Sequence, residues 1–306
     1  MSLEADAIAA RRALRRKVTF WRVAAILIFV GAIAALGLSA GGQGGAFHDH
    51  IARIRIEGLI TGDTKTLDLI EELEDEARVK AVIVRIDSPG GTTAGSEALY
   101  EALSALQKKK PVVAVMDTVA ASGGYIAALP ADHIVARGNT ITGSIGVIFS
   151  WPDMSKLLDT LGVKMEEIKS GELKAAPSPY APLTPNVRDV TQAMVTDGYD
   201  WFTGLVAERR KLTQEEVRKL ADGRVYSGRQ ALAVKLIDQL GGEREGLAWL
   251  QTNRNMTQGL DVVDYDPAKP SLAGDFSLSS LIPGLIQKVL IPERLSLDGL
   301  QSVWHP

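Results

Sequence analysis

Lys80-Ala81-Val82-Ile83-Val84-Arg85-Ile86-Asp87-Ser88-Pro89-Gly90-Gly91 decides the fold class. Its first seven residues are a β-branched apolar run, as a strand buried on both faces requires, and a Ser-Pro-Gly-Gly turn is predicted to end it. Ser96 to Lys109 then reads as a helix, with a basic end at Lys108, Lys109 and Lys110 that suits the helix dipole. Pro111-Val112-Val113-Ala114-Val115-Met116 is the next strand, followed by Val119-Ala120-Ala121-Ser122-Gly123-Gly124-Tyr125. Two strand–turn–helix units in succession predict an α/β domain. Each unit ends its strand in a glycine-rich turn, at the end where α/β folds hold ligands.

Working outward, Ile51 to Glu57 partly alternates apolar and polar residues, as a strand does. Thr64 to Arg78 carries Leu67, Ile70 and Leu73 at helical spacing among acidic residues. Short strands are predicted at Ile134–Ala136 and Gly146–Phe149. Helices are predicted at Met154–Leu161, Asn186–Lys211, Gln214–Leu220, Gly228–Lys235 and Glu243–Asn253. No repeat long enough for a solenoid is visible. The tail after Pro270 is apolar but broken by prolines. A packing arm, a membrane-surface element and a disordered end all remain open for it.

The chain has 306 residues, 46% hydrophobic and 23% charged, with a net charge of −3, which gives no support for nucleic-acid binding. The charge is unevenly placed. Arg11, Arg12, Arg15, Arg16, Lys17 and Arg22 precede an uncharged run of 18 residues, Val23 to Ala40. That is close to the roughly 20 residues a helix needs to cross the hydrocarbon core. Phe20 and Trp21 sit where aromatic side chains favour the interface, and the basic cluster orients the N-terminus to the cytoplasm. A cleaved signal peptide would have a shorter apolar core and a better small-x-small site than Leu38-Ser39-Ala40. A buried core helix fits poorly between six basic residues and Gly41-Gly42-Gln43-Gly44-Gly45. The expected organisation is a basic head (1–22), a transmembrane anchor (23–40), a glycine-rich linker (41–50), a catalytic domain (51–254) and a tail (255–306). The domain is then on the extracytoplasmic side.

A small hydroxyl among small residues, with glycine N–H groups nearby for an oxyanion, is the minimum set for acyl transfer. Ser122-Gly123-Gly124 reads as a turn opening a helix, so the Gly123 N–H would point forward, with an N–H of Gly91 as second donor. Each motif alone is also an ordinary turn; their placement at the ends of successive strands distinguishes them. The chain has no cysteine, which excludes thiol nucleophiles, disulfides and cysteine-bound metals. No P-loop or metal-ligand spacing occurs, so no cofactor or metal is expected. Of four histidines, His48, His50 and His305 flank the domain, and His133 opens a predicted buried strand. A Ser-His-Asp triad is therefore not expected, which leaves a lysine base. Lys108, Lys109 and Lys110 read as a solvated helix end, and Lys211 and Lys219 lie in highly charged helices. Lys174 lies in the Gly/Pro-rich segment Ile168 to Pro179. The residues alone leave it open between a base and an ordinary exposed loop lysine.

Five ordered motifs carry a resemblance. They are Asp87-Ser88-Pro89-Gly90-Gly91, Ala120-Ala121-Ser122-Gly123-Gly124-Tyr125, Thr142-Gly143-Ser144-Ile145-Gly146-Val147, Ile168-Lys169-Ser170-Gly171 with Lys174, and Asp222-Gly223-Arg224-Val225-Tyr226-Ser227-Gly228-Arg229. Together they resemble the short form of the bacterial signal peptide peptidase A family over about Ile51 to Asn253. The resemblance implies a ClpP/crotonase-like spiral of ββα units, preceded by one transmembrane helix in the inner membrane. It implies Ser122 as nucleophile, Lys174 as general base, Ser144 orienting the lysine, and Gly91 and Gly123 as the oxyanion hole. It further implies peptide substrates such as signal-peptide remnants, and a homo-oligomeric ring whose serine and lysine come from neighbouring subunits. Val119 departs from the family's usual methionine, and the tail is not covered. A crotonase-type hydratase and a non-catalytic scaffold on the same fold are the alternatives.

Overall fold

The computed structural model describes residues 17, 20–31, 48–254, 256–257, 259–267 and 300–303. The chain divides into two compact units, Met1–Phe47 and His48–Pro306. In the first, residues 20–31 are helical, and Phe20, Trp21, Ile26, Leu27, Ile28 and Phe29 are exposed on that helix. Among the described residues no helix is long and apolar enough to cross a membrane. Residues 32–40 of the expected anchor and the glycine run after it lie outside the described residues.

The second unit runs β1 (His50–Ile60), α1 (Thr64–Asp75), β2 (Val79–Thr92), α2 (Thr93–Lys109), β3 (Val112–Ala121), α3 (Gly123–Ala128), β4 (His133–Ala136), β5 (Ile141–Gly143) and β6 (Ile148–Phe149). It continues with α4 (Ser155–Thr160), α5 (Pro185–Arg210), α6 (Gln214–Leu220), β7 (Val225–Ser227), α7 (Gly228–Ala233), β8 (Gln239–Leu240), α8 (Glu243–Asn253), β9 (Val262–Asp264) and β10 (Leu300–Val303). Parallel pairing joins β9, β1, β2, β3, β4 and β8 in that order. β5 continues parallel beside the end of β3, with β7 antiparallel to it. β10 and β6 add antiparallel pairs, so the sheet is mixed.

The central stretches of β2 and β3 are mostly apolar because both faces are covered; the half-buried Arg85 of β2 pairs with Asp117 of β3. Alternate residues of β2 and β3 (Val82, Val84, Ile86; Val112, Ala114, Met116) face the larger core with Leu73, Leu103, Leu106 and Phe202. Their neighbours Ala81, Ile83, Val113 and Val115 face a smaller cluster with Val135 and Leu250. That is the pattern of a parallel sheet between helices. α8 closes the second face at short range: a Cβ on Gly246 would stand 3.0 Å from Val113 Cγ1. The helices start where a side chain satisfies the first free N–H groups. Asp63 caps α1 and Thr92 caps α2, while Thr213 opens α6 with a reciprocal capping box to Glu216.

Two expectations are corrected here. Ser88-Pro89-Gly90-Gly91 does not end the strand in a turn; β2 runs through it to Thr92. Glu57 pairs with Asp87, and after an irregularity Leu59 and Ile60 pair with Gly90 and Gly91. A residue before proline favours extended backbone, and Gly90 takes φ 106° without a side-chain clash, so the segment bends and stays in the sheet. α1 likewise ends at Asp75 rather than Arg78, where Glu76 turns extended.

Phe202 on α5 is fully buried. Phe202→Ala is expected to lower the unfolding free energy by about 3–5 kcal/mol, read from the urea midpoint at unchanged m-value.

Candidate active site

β3 passes directly into α3 through one residue, Ser122, which takes φ 54° and ψ −116°. This positive φ is costly for a residue with a side chain, so the surroundings must impose it. They do so through backbone contacts. The Ser122 N–H donates to Gly143 O at 2.8 Å, and Ser122 O accepts from the Tyr125 and Ile126 N–H groups at 2.9 and 3.0 Å. The serine is 1% exposed.

Behind the elbow, the start of α3 lies on the end of β2 with no room for a side chain. A Cβ on Gly124 would come within 2.5 Å of Ser88 O. One on Gly123 would stand 2.3 Å from Ser96 Oγ and 3.1 Å from both Gly90 Cα and Gly91 N. Gly91 is pressed from its other side: a Cβ there would meet Ile60 O at 1.7 Å. The two glycines that the resemblance assigns to the oxyanion hole are thus held against each other, both buried, beside Ser122.

Two serines that sequence reasoning missed set this contact. Ser88 Oγ donates to Gly58 O at 2.6 Å and accepts from the Gly90 N–H at 3.1 Å, fixing the bend of β2. Ser96 Oγ donates to Thr92 O at 2.9 Å and is the atom nearest a Cβ on Gly123. The serine of Ser-Pro-Gly-Gly carries a local signal, since serine bonds its own backbone two residues on. Ser96 has no such signal.

Ser144 comes to the same place. β5 pairs with β3 so that Gly143 lies opposite Ala121, and Thr142 Oγ1 donates to Ala120 O at 2.7 Å. Ser144 follows at φ 49°, nearly buried, with its N–H donating to Arg224 O at 2.9 Å. The Arg224 loop is closed by an ion pair with Asp222, whose carboxyl the guanidinium holds down to about 2. The fifth sequence motif therefore supports the turn that carries Ser144.

Lys174 is not buried with this set. It is exposed, in a turn closed by its own N–H donating to Gly171 O at 3.1 Å. The same stretch of chain, from α4 to the first half of α5, presents Leu161, Val163, Met165, Ile168, Val190 and Met194 to solvent. Lys110, expected to be solvated, is corrected: its ammonium donates to Leu73 O and Glu76 O, and burial pushes its pKa below the ordinary lysine value. It stands at the far end of α2 from Gly91, about 25 Å away by the rise of a 17-residue helix. The described histidines are engaged elsewhere. His133 stacks on Trp249 at 4.8 Å and bonds Gln239, His50 bonds Tyr265, and His48 pairs with Asp261; His305 lies outside the described residues. Two cavities, of about 630 and 430 Å³, have walls that include none of Ser122, Gly123, Ser144 or Lys174.

Ser122 is thus a buried serine on a strained strand-to-helix elbow, with the Gly91 and Gly123 backbones beside it. Residues 104–257, half of the chain, match the model of Peptidase family S49. A Synechocystis sp. chain named provisionally as a protease is 41% identical over 266 residues, covering 83% of this chain and 95% of that one. Protease 4 of Haemophilus influenzae is 36% identical over 226 residues, 70% of this chain and 36% of that one. The chloroplastic serine protease SPPA of Arabidopsis thaliana is 32% identical over 281 residues, 87% of this chain and 40% of that one. This chain belongs to peptidase family S49 and spans well under half of the last two relatives.

If backbone contacts impose the φ at Ser122, glycine there should be relieved of strain and alanine should not. Ser122→Gly is expected to be about 1–2 kcal/mol more stable than Ser122→Ala in urea. Equal stabilities would mean that the elbow is unstrained.

Proposed function

We propose that the chain is a membrane-anchored serine endopeptidase with a Ser122/Lys174 dyad, acting on signal-peptide remnants and other apolar, membrane-associated peptides. The observation that carries this is the elbow: a buried Ser122 at positive φ, with Gly123 pressed on Gly90–Gly91. In the proposed reaction, neutral Lys174 takes the proton of Ser122 Oγ as that oxygen bonds the peptide carbonyl carbon. The Gly91 and Gly123 N–H groups hold the oxyanion. Breaking the C–N bond releases an amine, which receives the proton from Lys174. Water, deprotonated by the same lysine, then hydrolyses the ester and returns Ser122. Ser144 orients the lysine.

A lysine acts as a neutral base only when shielded from water, so the mechanism needs Lys174 covered. The exposed apolar residues of the same stretch of chain support a cover made by a second copy of this chain. We infer a head-to-tail ring on a ClpP/crotonase-like spiral, in which one subunit's Lys174 serves its neighbour's Ser122. The exposed apolar helix at residues 20–31 supports an anchor in lipid, with the N-terminus in the cytoplasm and the domain outside.

The test is hydrolysis of a fluorogenic apolar peptide by the chain and by Ser122→Ala and Lys174→Ala, with oligomer size from light scattering. Both variants should keep the assembly and lose at least about 1,000-fold in kcat. Met194→Glu should leave each chain folded but reduce both assembly and activity. Activity that survives in Lys174→Ala would remove the dyad.

A further inference from the structure

β1 is an edge strand over its second half. Its inner edge pairs with β2 from His50 to Ile60. Its outer edge pairs with β9 only at Ile51, Ala52 and Arg53, and the Tyr265 N–H then donates to Arg53 O at 2.8 Å. In that parallel register the next donor, to Arg55 O, would be residue 267, which is a proline and has no N–H. The ladder therefore stops for a chemical reason. Alternate residues of a strand turn their main-chain groups to the same edge, so the Arg55 carbonyl and both groups of Glu57 face outward. No strand among the described residues pairs with them there.

The larger cavity, of about 630 Å³, lies along this open edge. Leu59 of β1, Leu67 of α1 and Leu99 of α2 give it apolar walls. Its rim is acidic: the exposed Glu57, Asp63 and Asp266 stand against one guanidinium, Arg55, which Asp264 and Asp266 already share. Each feature selects part of a ligand. An open strand edge takes up an extended peptide, and the walls then choose among its side chains. Apolar walls favour apolar side chains, and a surplus of carboxylates favours a cation next to them. β2 separates this edge from the strand that ends in Ser122.

We propose that the outer edge of β1 from Arg55 to Glu57, with the cavity beside it, is a peptide site separate from Ser122. It binds an extended segment in which a lysine or arginine adjoins apolar residues. Main-chain bonds to Arg55 and Glu57 set the register. Leu59, Leu67 and Leu99 take the apolar side chains, and Glu57 and Asp266 take the cation. That the site holds substrates for cutting rests on the function proposed above; the binding itself does not.

The test uses the full chain carrying Ser122→Ala, so that no peptide is consumed, and a fluorescent peptide of alternating leucine and lysine. In an extended chain that alternation puts all leucines on one face. The same peptide with glutamate for lysine is the comparison. The lysine peptide should bind at least about tenfold more tightly and weaken with added salt. It should also slow hydrogen exchange at the Glu57 amide by about tenfold, the scale of one or two backbone hydrogen bonds. Glu57→Gln and Asp266→Asn together should lower its affinity about tenfold with little change in the urea midpoint. Asp63 is left in place because it caps α1. Methylating the peptide's backbone nitrogens should abolish binding; full binding of the methylated peptide would rule out strand pairing. Protection at residues 90–92 in place of Glu57 puts the peptide at the serine and overturns the proposal. Slow exchange at Glu57 without peptide also overturns it: if independent of concentration, the chain itself fills the edge, and if rising with concentration, a second copy does. With Ser122 restored, the double variant should raise KM for the lysine peptide without lowering kcat. Binding at Glu57 with no hydrolysis in any variant leaves this site standing and sinks the peptidase, and hydrolysis with no binding at Glu57 does the reverse.

Discussion

The close approach of two backbones holds this domain's chemistry in place. The start of α3 rests on the end of β2, and neither Gly123 nor Gly124 has space for a methyl group there. Were α3 to stand farther off, the elbow at Ser122 would open and relax from its positive φ. The amides of Gly91 and Gly123 would then separate. A hydrophobic contact tolerates such a shift, because burial is not directional. Amides that hold a developing charge, as proposed for Gly91 and Gly123, do not. Glycine at these positions is therefore a matter of distance. Only Gly90 at β2's end also needs its φ of 106°.

The rest of the sheet serves that approach. β1 supports β2 from one side, with Ile60 O against Gly91, and β5 holds the amide of Ser122 from the other. The strands are buried on both faces, so β2 and β3 cannot slide past each other without moving alternate residues into the wrong core. Rigidity at the serine contrasts with exposure at the lysine. On the proposed mechanism that contrast is functional, because in an isolated chain Ser122 would lack a base until assembly.

The strands at 80–86 and 111–116 were legible because burial on both faces writes a largely apolar, β-branched run. The helices after residue 153 were legible from periodicity, each to within one residue at its start. The two-to-four-residue strands β5, β7, β8, β9 and β10 carry no such signal; each exists because a partner distant in sequence supplies its hydrogen bonds. Ser-Pro-Gly-Gly reads locally as a turn, yet pairing with Glu57, Leu59 and Ile60 keeps it in the sheet. Lys110 reads as a solvated helix end, and only the folded chain brings Leu73 and Glu76 carbonyls to it. Ser122 and the glycines stand out in the sequence because the proposed chemistry needs small residues at strand ends. Lys174 does not, because its Gly/Pro-rich segment reads equally as an ordinary exposed loop, and in the structure it is exposed. The resemblance alone singled it out.

The most direct test of the division between buried serine and exposed lysine is to mix the two dead variants. Ser122→Ala and Lys174→Ala chains are dissociated, combined in equal amounts and reassembled, and peptide hydrolysis is measured. If each site takes its serine from one chain and its lysine from the next, about a quarter of the sites in a randomly mixed ring are complete. Activity should then return to roughly that fraction of the parent. If both residues act within one chain, the mixture stays inactive, and the account of a site shared between subunits is wrong.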